Sequence, residues 1–398
     1  MVPSFVTWQP EVVLPPSQIR WLVEQPDTVL SIDKCLLKDL EFPYTNPAAW
    51  SFTRPFHVEA INKLKLDSLV EDMAEEVQTS VDEQWGTDTA EWKSVNIDHT
   101  MLHVLVRITS RVFVGLPLCR DREYVEAATG FMSHISPRSI LISFTPEFMR
   151  PLVAWWLTRD LKRWNGICTD KMTPLIEKEM MHRRPSDQKT MPPPITLLEQ
   201  LSRLAVRSTH KKDRHPFNVG SRLLALNFVA VHTSNVSLIN ALVDIASPPA
   251  LGEDVLGQLR SEAEEVSKRH LGKWSKTAVG QLVKTDSMLR ESLRLNTFKS
   301  RGVERIIVKE GGIVLPSGQY LAQGTKIGLP VLPIHRDPEL YDDAETFDAF
   351  RFCDMKQSVA EKVVEKMSRN DSPARPGHVE LINTSESFLA FGHGRHAW

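Results

Sequence analysis

The sequence has few cysteines, and their spacing suggests no chemistry. Cys35, Cys119, Cys168 and Cys353 are far apart, and no two form a C-x-x-C pair. That excludes a disulfide framework and a thiolate zinc site, and it makes a reducing compartment the default. An uninterrupted apolar run of about 18 residues is also missing, so no segment declares itself as a membrane-spanning helix. The opening Met1-Val2-Pro3-Ser4 leads into mixed sequence without a signal-peptide pattern. Charge of one sign is lacking as well. Lys plus Arg number 48 and Asp plus Glu 50, for a formal charge of −2. Broad attraction to nucleic acid is thereby excluded. Internal repeats and low-complexity tracts are absent too.

What is present is an ordinary globular balance: 398 residues, 41% hydrophobic and 25% charged. Residues 1–50 read as proline-rich and irregular, with Pro15-Pro16 and Pro43. From Pro55 to Trp85 apolar residues recur at helical spacing (Ile61, Leu64, Leu69, Met73, Val77). Further helices are predicted over Val95 to Val114, 121–135, 147–182 and 196–207. Lys189 to Pro194 is a loop, because three consecutive prolines cannot be helical. Asn218 to Ala246 is the longest helical candidate, stopped by Pro248-Pro249 and apolar nearly all round, which places it in a core. Leu251 to His270 and Thr277 to Leu295 follow as helices. Short strands are expected at Val303 to Val308, Ile313 to Leu315, Tyr320-Leu321 and Lys326 to Leu329, punctuated by glycines. The fold class is mainly α with a small β part.

Four patterns carry possible chemistry. Glu291-Ser292-Leu293-Arg294 places a Glu and an Arg on one helix face, where they can pair. Its apolar flanks suggest burial, and a buried pair needs further partners for the guanidinium. Arg351 lies between Phe350 and Phe352, after His335-Arg336-Asp337-Pro338, and is the candidate third member. The long helix carries His232-Thr233-Ser234-Asn235 at burial depth. Taken alone, Thr233 reads first as a hydroxyl bonded back to the preceding turn, and second as a group facing a cavity. Finally, Phe391-Gly392-His393-Gly394-Arg395-His396-Ala397 holds two glycines that permit a tight turn. His393 and His396 have a metal-pair spacing, but the glycines around them argue against zinc.

In this order and spacing the four patterns resemble the cytochrome P450 haem-thiolate monooxygenases over nearly the whole chain. Arg111-Val112-Phe113-Val114-Gly115, Pro117-Leu118-Cys119-Arg120 and Ala230-Val231-His232-Thr233-Ser234 resemble the filamentous-fungal members that serve secondary metabolism. The resemblance implies a single domain over 1–398 that binds haem b. It implies electrons from NADPH–cytochrome P450 reductase and oxidation of a small hydrophobic substrate, a terpenoid or alkaloid. It implies Thr233 and His232 as a distal proton relay, with His232 in place of the usual Asp or Glu. Glu291, Arg294 and Arg351 take the place of the structural triad. Arg305 (with Arg301 as second candidate), Phe391, Gly394 and His396 take the place of cofactor-binding residues. Intact relatives are anchored to the endoplasmic reticulum membrane.

The departures are as informative. The family's axial cysteine falls seven residues after the loop phenylalanine, and here that position is Trp398. An indole nitrogen donates but offers no lone pair, and the thiolate is what favours O–O cleavage. The chain is therefore expected to lack the metal ligand and to be inactive, with the alternative of a non-catalytic ligand- or partner-binding remnant. The anchor, the first strands of the sheet and the haem-ligand region are expected to be missing, leaving one truncated domain. A break at the cysteine codon itself fits an unspliced intron. The family's Trp-x-x-x-Arg is not reproduced, since Trp92 is followed four later by Asn96.

Overall fold

The computed structural model describes residues 2–3, 10–48, 54–181, 195–247, 254–353 and 380–397. The proline loop at 189–194, the stop at Pro248-Pro249 and the position of Trp398 lie outside the described residues. The chain divides into two compact units, Leu36–Asn235 and a second made of Met1–Cys35 with Val236–Trp398.

The first unit is helical. Its main elements are Val70–Trp85, Ile97–Phe113, Arg122–Ser143, Arg159–Met181, Leu197–Arg207 and the first part of Pro216–Ile245. Side chains set where these begin. Asn96 accepts from the amide of His99 at 3.1 Å and Asp121 from that of Tyr124 at 2.9 Å. Thr196 and Glu199 satisfy each other's backbone amides in a capping box. The sequence put one helix over 147–182, and the chain instead breaks it into Arg150–Leu157 and Arg159–Met181. Leu161, Cys168, Met172 and Ile176 line the buried stripe of the second, which packs against Arg122–Ser143, where Phe131, Met132 and Ile135 are buried. Each such side chain contributes roughly 1.5–3 kcal/mol by leaving water. The two long helices approach so closely at Gly130 that an added Cβ would sit 2.6 Å from the ring of Trp164.

Pro216–Ile245 is long and apolar enough to cross a membrane by length and composition, although no uninterrupted apolar run marks it. A core helix meets the same test. Its buried polar residues have protein partners: Asn165 for Ser221, Thr109 for Asn227 and Asp98 for Asn235.

The second unit carries the sheet. Five strands run in the order Val2–Pro3, Pro10–Val13, Lys326–Leu329, Gly302–Ile307, Leu30–Ser31. Pro10–Val13 is parallel to Lys326–Leu329, with Val12 opposite Ile327, and the other pairs are antiparallel. Ile313–Val314 and Tyr320–Leu321 form a separate hairpin. Residues 10–13 and 30–31 thus form strands within the first fifty residues, which the sequence suggested were irregular. Val12, Leu14, Ile19, Leu22 and Leu30 join Ile307, Ile327 and Leu329 in one apolar core. In the same unit the helix Val283–Leu295 buries eight of its residues, including Arg290, Glu291 and Arg294.

Candidate functional site

The helix Val283–Leu295 organises the second unit around charge. Glu291 and Arg294 are fully buried. Arg294 donates to both carboxylate oxygens of Glu291, Nε to Oε2 at 2.7 Å and Nη2 to Oε1 at 2.8 Å. Arg351 arrives from the far side, its Nε donating to Glu291 Oε1 at 3.0 Å. The remaining donors reach backbone carbonyls. Arg294 Nη1 donates to His335 and Ala344, each at 2.6 Å, and Arg351 Nη1 to Asp342 at 2.5 Å. The amide of Asp348 adds a bond to Glu291 Oε1 at 3.1 Å. Two arginines on one carboxylate remain tolerable in a dry interior only when their other N–H groups are satisfied in this way. The structure therefore brings the three candidate residues together.

Beside them lies a joint that sequence reasoning missed. Arg290 stacks on Phe388 at 3.8 Å and on Phe352 at 4.9 Å, and donates to the carbonyls of Glu380 and Asn383, each at 2.8 Å. Burial lowers its pKa to about 10. His335, fully buried, lies parallel to Phe388 at 5.3 Å. Burial, with the Arg294 and Arg290 charges beside it, pushes its pKa down to about 3, so it is neutral. The only sequence signal for it is its place before Arg336-Asp337-Pro338.

The loop Phe391–Ala397 follows directly. Gly394 has φ +73°, and a Cβ there would meet Val23 Cβ at 2.8 Å, so both conformation and contact require glycine. His396 Nε2 is 2.6 Å from Asp27 Oδ1. Arg395 reaches the same carboxylate at 3.2 Å and also bonds the Gln25 carbonyl. Phe391 lies against Phe298, ring centres 6.2 Å apart. Arg305 is buried on the strand Gly302–Ile307, with Nη1 donating to the Glu304 carbonyl at 2.8 Å. Arg301, the second candidate, pairs with Glu11 at 2.9 Å.

The helical unit holds the remaining candidates. Thr233 Oγ1 donates to the Val229 carbonyl at 2.8 Å, the back-bonded arrangement expected of a threonine inside a helix. His232 stacks on Phe228 at 5.2 Å, and burial lowers its pKa against the opposing pull of Asp98. Asn96, the residue four after Trp92, caps the helix Ile97–Phe113.

The residues can be weighed against a haem by donor chemistry. Arg305 and His396 are cationic or protonatable and suit carboxylates. Trp398 has no lone pair to offer an iron and is outside the described residues. By donor chemistry Arg305 and His396 would suit the group's carboxylates, whereas Trp398 would not suit its iron.

The family model for cytochrome P450 matches residues 38–397. Among similar curated proteins, the cytochrome P450 monooxygenase gloP of Glarea lozoyensis is 28% identical over 98% of this chain and 72% of its own length. The cytochrome P450 monooxygenase htyF of Aspergillus rugulosus is 29% identical over 98% of this chain, which spans only 57% of that protein. A similar solved fold is a retinoic acid-bound cyanobacterial CYP120A1, with TM-score 0.61, 15% identity and coverage of 96% of this chain and 76% of that one.

Proposed function

This chain belongs to the cytochrome P450 family, and from that premise we propose that it represents the monooxygenases of fungal secondary metabolism, whose members oxidise a small hydrophobic terpenoid or alkaloid. The observation that carries this reading is Glu291 held by both Arg294 and Arg351 on the buried helix Val283–Leu295. All of residues 1–398 serve one catalytic domain in this reading. Arg305 and His396 would hold the haem carboxylates, while Phe391 and Gly394 shape the loop. Bound haem would supply the oxygen activation, with electrons from NADPH–cytochrome P450 reductase. For Thr233 to donate elsewhere, it would have to release the Val229 carbonyl. His232, kept neutral by burial, would accept a proton at a ring nitrogen.

With Trp398 at the cysteine position, the chain as it stands supplies no thiolate, and we take it to be catalytically silent. The test is the spectrum of the purified chain loaded with haemin, reduced and exposed to CO. Absence of the red-shifted thiolate band is expected. Its presence would overturn the inactivity reading. A haem-free protein that melts cooperatively would favour the non-catalytic binding role instead.

Localisation at the endoplasmic reticulum membrane is part of the same proposal. Support comes from Arg150–Leu157, where Leu152, Trp155 and Trp156 share one face and are exposed at 69%, 58% and 63%. Arg159 caps Trp155 at 5.2 Å, and Lys162 and Arg163 are exposed close by. Tryptophans beside cations suit a lipid–water interface.

A further inference from the structure

We propose that His335 is a positioning residue for the Phe391–Ala397 loop, linking the end of the Glu291–Arg294 helix to the backbone that enters the loop. Its Nδ1 lies 3.2 Å from the Arg294 carbonyl, so that nitrogen carries the hydrogen. Its Nε2 accepts from the Leu389 amide at 2.8 Å. Those two bonds define one neutral tautomer. The ring therefore works as a rigid bridge between two backbone groups that lie 41 and 54 residues from it in sequence, on opposite sides. The helix end it grips is itself fixed, because Arg294 is spent on Glu291, His335 and Ala344.

Arg290 holds the other end of the same strap. It lies one helical turn before Arg294 and carries the Phe388 ring on its guanidinium face. Asp286, one turn earlier, accepts the Leu381 amide at 2.8 Å. Asp286, Arg290 and Arg294 thus share one helix face. Through it the helix receives Leu381, Phe388 and, by way of His335, Leu389. Two residues beyond Leu389, the loop turns at Phe391 and Gly392. Loss of the His335 bridge would free Leu389 and let the loop shift along the helix, although no loop residue is changed.

The role given to the loop rests on the proposed function above. The test reads backbone protection in the chain as it stands, so failure of the haem reading leaves its result intact. Hydrogen exchange is followed by mass spectrometry on the wild type, His335→Leu, His335→Gln and Arg290→Lys. A glutamine amide can donate to the Arg294 carbonyl and accept from Leu389, as the imidazole does. In His335→Leu, amides of 385–397 are expected to exchange about ten-fold or more faster, while those of Arg122–Ser143 stay unchanged. His335→Gln is expected to restore most of the protection. Arg290→Lys, which keeps charge but loses the flat face, loosens 381–389 alone. Unchanged protection in His335→Leu overturns the proposal. So does equal loss across both units, or failure of a cooperatively folded His335→Gln to recover. If His335→Leu does not fold, the Gln and Lys variants decide by the same criteria.

Discussion

Glu291 and Glu76 are both buried carboxylates gripped by two arginines, and they differ in where the arginines send their other donors. Arg294 and Arg351 reach the backbone carbonyls of residues 335–346. Arg107 and Arg120 hold Glu76 and then turn to side chains, Arg107 to Glu83 and Arg120 to Glu75 at 2.9 Å. Glu83 and Glu75 are more than half exposed. The first cluster fixes the course of the chain. The second is a charge network at the rim of a helix pair, whose arginines keep a carboxylate if Glu76 is lost.

The largest effect should follow from removing each carboxylate in turn. Glu291→Gln leaves two buried guanidinium groups facing only carbonyls, and should cost about 3–5 kcal/mol. Glu76→Gln leaves each arginine a second carboxylate, and should cost about 1–2 kcal/mol, falling further in high salt. Chemical denaturation of both variants measures the difference. Equal costs would mean that the backbone bonds contribute little and that the comparison fails.

A pH series probes the joint beside Glu291. His335 has a pKa of about 3 in the folded chain against an ordinary 6.5. The unfolded chain therefore binds a proton, as pH falls through 6.5, that the folded chain refuses. Its contribution to stability is whole above that range and lost between about pH 6.5 and 3. The slope approaches about 1.4 kcal/mol per pH unit. Arg290 and Arg294 oppose the charge, and buried Tyr341 beside Arg294 supplies none to offset them. The difference in pH dependence between wild type and His335→Gln isolates this group. A parallel pair of curves would show that His335 is readily protonated in place.

The exposed face of Arg150–Leu157 should respond differently from either cluster, because it is bound by little within its own unit. Trp155→Ser with Trp156→Ser is expected to shift stability by less than about 0.5 kcal/mol. The same change should reduce flotation with phosphatidylcholine–phosphatidylserine vesicles several-fold. Retained flotation would remove this face as the support for membrane localisation.

Long helices and the Glu291–Arg294 pair were legible in the sequence because their signals are local. A 3.6 period and an i, i+3 pair need no knowledge of the rest of the chain. Pro10–Val13 was not legible. Four residues that begin with proline and include a buried glutamate do not read as a strand. Glu11 is tolerated because Arg301 and Lys326, distant in sequence, lie 2.9 and 3.6 Å from it. His335 and Arg290 were missed for the same reason. A neutral buried histidine and a stacked arginine look like surface residues until Leu389 and Phe388 are brought against them. Trp398 is the reverse case, a departure visible only as a residue type at a position.

The smallest expected effect concerns Thr233, and it bears on the comparison between the two units. In the second unit the candidate side chains bind across long sequence separations and hold the fold. The hydroxyl of Thr233 donates one turn back, to a carbonyl already in the helix ladder. Such a bond adds little stability and bends the helix slightly. Thr233→Val keeps the branched shape and removes the hydroxyl, so its cost should be below about 0.5 kcal/mol. A chain that loses nothing in stability without that hydroxyl has no structural need for it, which is what the proposed relay requires. A loss above about 1 kcal/mol would place Thr233 with Glu291 as a structural residue, and would remove it from the proposed relay.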